Sequence, residues 1–228
     1  RDRSVSRGLG DVYKRQVVNL AGCGKFDAAA YVESCLDLLT KGETEQYMKM
    51  TGRSKEQAES DYESNIDAMM TEMDQFNLSD ELSNSYRQLF KDVYAKAKYT
   101  VKDAEKMDDK DGYYVTVEIE QMTGLFNGIQ EELMTEFTEW ANSFDADTYP
   151  TEDEMYEQMY QMMYDLMSAR LDSITYNDPQ EVVVEVIGED NVYSISDGSM
   201  TELDEALLDV ATCLLYTSPS PRDTERSR

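Results

Sequence analysis

The chain has 228 residues, with 48 Asp and Glu against 21 Lys and Arg, a formal net charge of −27, and no histidine. That balance excludes phosphate-backbone binding, which needs Lys and Arg to displace condensed counterions, and it opposes flat docking on anionic lipid headgroups. Without imidazole there is no Ser-His-Asp or Cys-His catalysis and no histidine metal ligand, so any catalysis would run on carboxylates.

The two ends match each other as DNA. Back-translation of residues 213–223 (CLLYTSPSPRD) gives a string whose reverse complement, extended by one G, translates as SRGLGDVYKRQ, the sequence of residues 6–16. Both termini resemble the transposon-end adapter of sequencing libraries, so residues 1–16 and 213–228 are set aside from fold reasoning as an artefact. The first 16 residues hold five basic side chains and the last 16 hold three, so residues 17–212 keep 13 basic against 44 acidic groups, a charge of −31. The basic arm at the start is therefore no nucleic-acid patch. The remaining 196 residues suit one domain with room for a core.

Directly after the first adapter comes VVNLAGCGKFDAAAYVESCLDLL. Leu20-Ala21-Gly22-Cys23 resembles the lipobox of bacterial lipoproteins, in which small residues precede a cysteine that receives a diacylglyceryl group. The resemblance implies lipid attachment at Cys23 and cleavage just before it. Residues 17–22 would then be a truncated signal-peptide remnant, residues 23–53 the attachment site, spacer and N-terminal helices, and residues 54–212 an α+β domain. The membrane would be met through the N-terminal lipid, on the extracellular face, with each buried CH₂ worth ~0.8 kcal/mol. The other reading of Cys23 is a buried core cysteine in a longer intracellular chain.

Apolar spacing predicts a helix over residues 26–39, broken at Lys41-Gly42, and a short helix over 43–50. Ser54-Lys55-Glu56-Gln57 is a capping box. It opens a helix with Ala58, Tyr62, Ile66, Met69, Met73 and Phe76 on one face. Asn77 and Ser79 punctuate, and the next helix carries Leu82, Tyr86, Leu89, Phe90 and Val93. The period then changes to two: Tyr99 and Val101, then Val115, Val117 and Ile119, flank an Asp/Lys/Gly turn as a β-hairpin. Phe126, Ile129, Leu133, Phe137, Trp140 and Phe144 return to helical spacing. Tyr149-Pro150 breaks it, and Thr151 to Glu154 caps a helix running to about Ile174. EVVVEVIGEDNVYSIS is a second hairpin, turning over residues 188–191, and Ser199 to Glu202 caps a last helix.

The order of helices, hairpin, helices, hairpin, helix reads as α+β, with two antiparallel hairpins forming one sheet packed on helices. By analogy this is cystatin-like or nuclear-transport-factor-like. Two rounds of helix-then-hairpin also suggest a loose internal duplication. From LAGC through FDAAAYVESCLDLLTKGETEQYMKMTG to VYSISDG, the chain resembles small lipoproteins of Gram-positive gut bacteria with a domain of unknown function. That resemblance brings no assigned activity.

Four features invite chemistry. In MDDKDGYYVTVE, Gly112 at the sixth place of a calcium loop puts Asp109, Asp111 and Glu118 at liganding places, but the first place falls on Met107, which offers no oxygen. A solvated hairpin turn is the expectation there, and no metal is assigned. Met155, Met159, Met162 and Met163 lie on one helical face. A core stripe is expected, with an adaptable peptide-binding surface and a thioether copper site as the other readings. Glu118 with Glu120, and Glu131, Glu132 and Glu136, are expected to be solvated faces rather than a carboxylate pair across a cleft. Glu152, Asp153 and Glu154 complement the dipole of their helix. Cys35 is expected to be a buried small hydrophobe. No catalytic residue or cofactor is assigned. The expectation is a non-enzymatic binding or envelope-support module with a cationic peptide or protein partner; the alternatives are a ligand-capturing receptor for an envelope transporter and a carboxylate-based envelope enzyme.

Overall fold

The computed structural model describes residues 18–19, 26–71, 73–145, 147–189 and 192–209. Its first helix, α1 (Ala28–Lys41), has local start and stop signals. The Asp27 carboxylate accepts from the Ala30 N–H at 3.0 Å, and Gly42 at φ 69° closes the last turn by donating to the Leu38 carbonyl. A glycine is favoured there because the left-handed region is strained for side chains bearing a Cβ. This helix is buried nearly all round: Tyr31, Val32, Cys35, Leu36, Leu38 and Leu39 are each at most 2% exposed. Two hydroxyls inside that shell, Ser34 and Thr40, donate back to the Tyr31 and Leu36 carbonyls, so their burial leaves no orphan donor.

Helices α2 (Glu45–Thr51), α3 (Lys55–Met70) and α4 (Asp80–Tyr94) follow. The capping box at Ser54 forms in both directions, with Gln57 N–H to Ser54 Oγ and Ser54 N–H to Gln57 Oε1. α3 stops at Met70, short of the Phe76 that the periodicity suggested. Met70, Met73 and Phe76 are three apart, and Asp74–Phe76 is a 3₁₀ turn, whose period is three. Asn77 at φ 49° ends it. On α4, Leu82, Tyr86, Leu89 and Val93 are buried and Phe90 half-buried, as their spacing predicts.

The two hairpins are β2 (Lys98–Lys106) with β3 (Gly112–Glu120), and β6 (Gln180–Glu189) with β7 (Val192–Ile195). They join edge to edge through β3 and β6, giving an antiparallel sheet in the order β1-β7-β6-β3-β2, with β1 (Val18–Asn19) on Val192 and Tyr193. Alternation sets the faces. Val115, Val117, Ile119, Val184 and Val186 point inward, while Tyr114, Glu118, Val183 and Glu185 point outward. At the close approach of the two hairpins, a Cβ on Gly112 would lie 2.6 Å from the Val186 carbonyl oxygen. The free edge β2 carries Lys98, Lys102, Asp103, Glu105 and Lys106 and shifts register between Val101 and Ala104. Charge and a bulge of this kind discourage edge-to-edge pairing.

The connection between the hairpins contains the short strand β4 (Met122–Thr123), α5 (Ile129–Ala141), α6 (Glu152–Arg170) and β5 (Thr175–Tyr176), with β4 and β5 paired; the last helix is α7 (Asp197–Leu207). α5 begins at Ile129 rather than Phe126, because Gly128 at φ 69° puts a turn between them. α6 ends at Arg170 and passes into a 3₁₀ turn, Leu171–Ser173. Buried side chains fall into two clusters. One joins α1, Tyr47, Ala58, the inner sheet face and α7; the other joins the end of α3 and α4 with Met122, Leu125, Ile129, Met167 and Leu208. The architecture is α+β, with an antiparallel sheet packed on helices.

Candidate functional site

Leu20, Ala21, Gly22 and Cys23 lie outside the described residues. Phe26, three places beyond Cys23, stacks on Tyr193 of β7 with ring centroids 4.0 Å apart, and also touches Tyr31 and Tyr113. The chain therefore enters the fold beside the β7 end of the sheet, where Val18 and Asn19 also pair.

Of the carboxylates noted in the sequence, Asp111, Glu118, Glu120 and Glu132 have partners nearby. Asp111 accepts from the Tyr193 hydroxyl at 3.2 and 3.3 Å, and its carbonyl accepts from the Gly188 N–H. It ties the two hairpin turns together, while Asp108 and Asp109 are exposed and Glu118 sits 3.3 Å from Lys102 on the outer face. Glu120 lies 3.9 Å from Lys98, and Glu132 pairs with Arg170 at 2.7 Å, joining α5 to α6. Among the described residues no group of three or more acidic, cysteine or histidine side chains converges on a point.

Two polar clusters were not legible in the sequence. Between α2 and α3, the Arg53 guanidinium meets Asp61 at 2.7 Å, and the Tyr47 hydroxyl donates to the same carboxylate at 3.1 Å. Burial pushes Asp61 above the usual carboxylate range, with Arg53 and Tyr47 pulling it partly back. At the end of α1, the Tyr99 hydroxyl donates to Asp37 at 2.7 Å and Lys41 lies over the Tyr99 ring. Burial pushes Tyr99 up to about 12. Asp204 of α7 is likewise raised by burial, against the hydrogen bond it accepts from Tyr94 at 2.9 Å. Neither Asp61 nor Asp204 lines the hollow of about 190 Å³ beside Lys41 and Tyr99 or the open groove between Asp27 and Lys102.

Cys35 is fully buried, and burial pushes its thiol up to about 12, which keeps it protonated and unreactive.

The methionine stripe differs from expectation. Of the apolar positions on α6 only Met167 is fully buried; Met163 is half-buried against the second core cluster, while Met155, Met159 and Met162 are half-buried outside it. The tyrosines of α6 take the inward direction instead. Tyr160 and Tyr164 make edge contacts with Tyr86 of α4, and Tyr156 and Tyr160 lean against Phe76. On α5 burial likewise weakens beyond its first turns: Ile129 and Leu133 are buried, but Phe137, Trp140 and Phe144 are only half-buried and touch one another at 5.4 and 5.0 Å. A helix buries its apolar stripe as far as neighbouring elements cover it, and the aromatic contacts of α6 with α4 run through Tyr160 and Tyr164.

No protein-family model matches the chain, and no curated protein sequence matches it. Its fold is shared with the crystal structure of a "putative lipoprotein" (YcdA) from Bacillus subtilis, at a TM-score of 0.54 and 15% identity. The likeness covers 80% of this chain and 56% of that one, so the chain spans little more than half the length of the structure it matches. The class is thus an α+β protein whose antiparallel sheet and helices are arranged as in that structure. Among the described residues no helix is long and apolar enough to cross a membrane.

Proposed function

We propose that the protein is a lipoprotein held to the outer face of the cell membrane through Cys23, and that its α+β domain binds a partner rather than catalysing a reaction. The observation that carries this is the placing of Leu20-Ala21-Gly22-Cys23 immediately ahead of the first core residue, Phe26. An acyl-modified cysteine there would hold the domain at the membrane by its β7 end. The description of the B. subtilis structure as a "putative lipoprotein" supports the same reading. Set against it is the pairing of Val18 and Asn19 with β7, because cleavage before Cys23 removes that strand. Two residues contribute only a pair of ladder bonds, about 1–3 kcal/mol at most, so the sheet of β7, β6, β3 and β2 can stand without them.

The binding reading, in preference to catalysis, is supported by where the raised carboxylates sit. Asp61 and Asp204 are committed to Arg53, Tyr47 and Tyr94. A general acid needs its proton within reach of a substrate.

The test is expression with a complete signal sequence in a Gram-positive host fed labelled palmitate. Label in the membrane fraction that disappears in Cys23→Ala is expected. Equal labelling of the variant, or a mature protein that retains Val18 and Asn19, would sink the anchor.

A further inference from the structure

The α5–α6 hairpin carries a set of apolar side chains outside both core clusters, among charges of nearly one sign. Met134 is 55% exposed, Phe137, Trp140 and Phe144 form a half-buried string on the same helix, and Met155, Met159 and Met162 are half-buried on α6. None of these seven belongs to either core cluster or is packed against one. Residues 129–170 contain eleven Asp and Glu and a single basic residue, Arg170, which is paired with Glu132.

Charge decides among the occupants such a face could take. A second copy would bring another ten net negative charges to the same contact and be repelled. An anionic membrane surface is opposed for the same reason. A segment with Lys and Arg flanking an apolar stripe satisfies both parts of the surface. Two helices side by side offer a seam that fits the i, i+3, i+4, i+7 anchors of a third helix, and unbranched methionines repack around varied side chains.

We propose that the distal face of α5 and α6 docks a cationic amphipathic helix of a partner protein. The proposal rests on the binding reading above and is independent of the lipid anchor. Trp140, the only tryptophan of the chain, lies in the face and reports its occupation.

The experiment titrates the full chain with an amphipathic Leu/Lys helical peptide and with a scrambled peptide of the same composition, following Trp140 fluorescence. Saturable one-to-one binding with a blue-shifted emission is expected, weakening about tenfold or more between roughly 0.05 and 0.5 M salt. The scrambled peptide should bind about tenfold more weakly, because it cannot align its apolar side chains. The triple variant Met155→Ser, Met159→Ser, Met162→Ser keeps the charge and should lose about tenfold in affinity. Glu136→Gln with Glu139→Gln, both exposed, is the second variant should the first fail to fold, and should weaken binding several-fold.

Equal affinity for the scrambled peptide, or for a folded triple variant, would mean general attraction to an acidic protein and overturn the proposal. Absence of binding, a silent Trp140, unchanged affinity in the glutamine variant, or dimerisation in place of binding would each overturn it too. None of these outcomes bears on palmitate labelling, so the docking face and the anchor fail separately.

Discussion

Replacing Arg53 by Met removes one partner of the half-hidden ion pair between α2 and α3 while keeping the aliphatic stem. Asp61 and Arg53 are 17% and 23% exposed and 2.7 Å apart. Breaking a fully buried pair costs about 3–5 kcal/mol, and exposed pairs are worth about 0–1 kcal/mol; four-fifths burial places Arg53→Met at about 2–3 kcal/mol at pH 7. The loss should depend on pH in a definite direction. The folded Asp61 carboxyl already titrates above its unfolded value because burial disfavours the charge, and Arg53 opposes that shift. A group raised in the folded state contributes stability that is fully present below its unfolded pKa and lost as pH rises through its folded pKa. Removing Arg53 raises Asp61 further, so the deficit of the variant grows with pH. Urea unfolding of both proteins should show a gap that shrinks to below about 1 kcal/mol near pH 4. Adding Asp61→Asn to the Arg53→Met variant should recover part of the loss at neutral pH. A gap of the same size at both pH values, or one under about 0.5 kcal/mol at pH 7, would refute the assignment of a buried, mutually dependent pair.

Further outcomes follow from the packing. Leu133→Ala, at the buried root of α5, should cost about 2–4 kcal/mol, whereas Met162→Ala on the half-exposed part of α6 should cost under about 1 kcal/mol; equal losses by urea unfolding would place the distal hairpin in the core. Gly112→Ala forces a Cβ to within 2.6 Å of a backbone oxygen on β6 and should cost about 1–3 kcal/mol, and an unchanged midpoint would argue against this pairing of β3 with β6. Asp204 is raised by burial, so Asp204→Asn should raise Tm at pH 7 by about 2–4 °C and reduce the gain in stability that the parent shows as pH falls toward 5. A lower Tm at pH 7 would show that the charged form, hydrogen-bonded to Tyr94, is the favoured one.

Most secondary structure was legible because its signals are local. The capping boxes at Ser54 and Thr151 form between residues three apart, and each satisfies two donors that the helix leaves free. Alternation at Val115, Val117 and Ile119 marks a strand with one buried face wherever the sheet lies. Errors came at boundaries where two periods coincide, as at Met70, Met73 and Phe76, or where a single residue such as Gly128 takes a positive φ. The Arg53–Asp61–Tyr47 and Ser79–Glu157 contacts were invisible for a different reason. Ser79 donates to a carboxylate 78 residues away, and nothing in the flanking sequence of either residue encodes the other.

The α+β class, the two hairpins, the acidic surface and the lack of imidazole chemistry each follow from residue type or near-neighbour spacing. Which apolar stripes are core depends instead on how the elements pack. α1 and α6 both carry apolar residues at helical spacing, yet α1 lies between the sheet and α2–α4 and is buried on nearly every side, while α6 meets α4 on one side and α5 on another. Periodicity reports that a helix has an apolar face. Whether anything covers that face depends on how many elements the chain brings to it, and for α5 and α6 it brings too few.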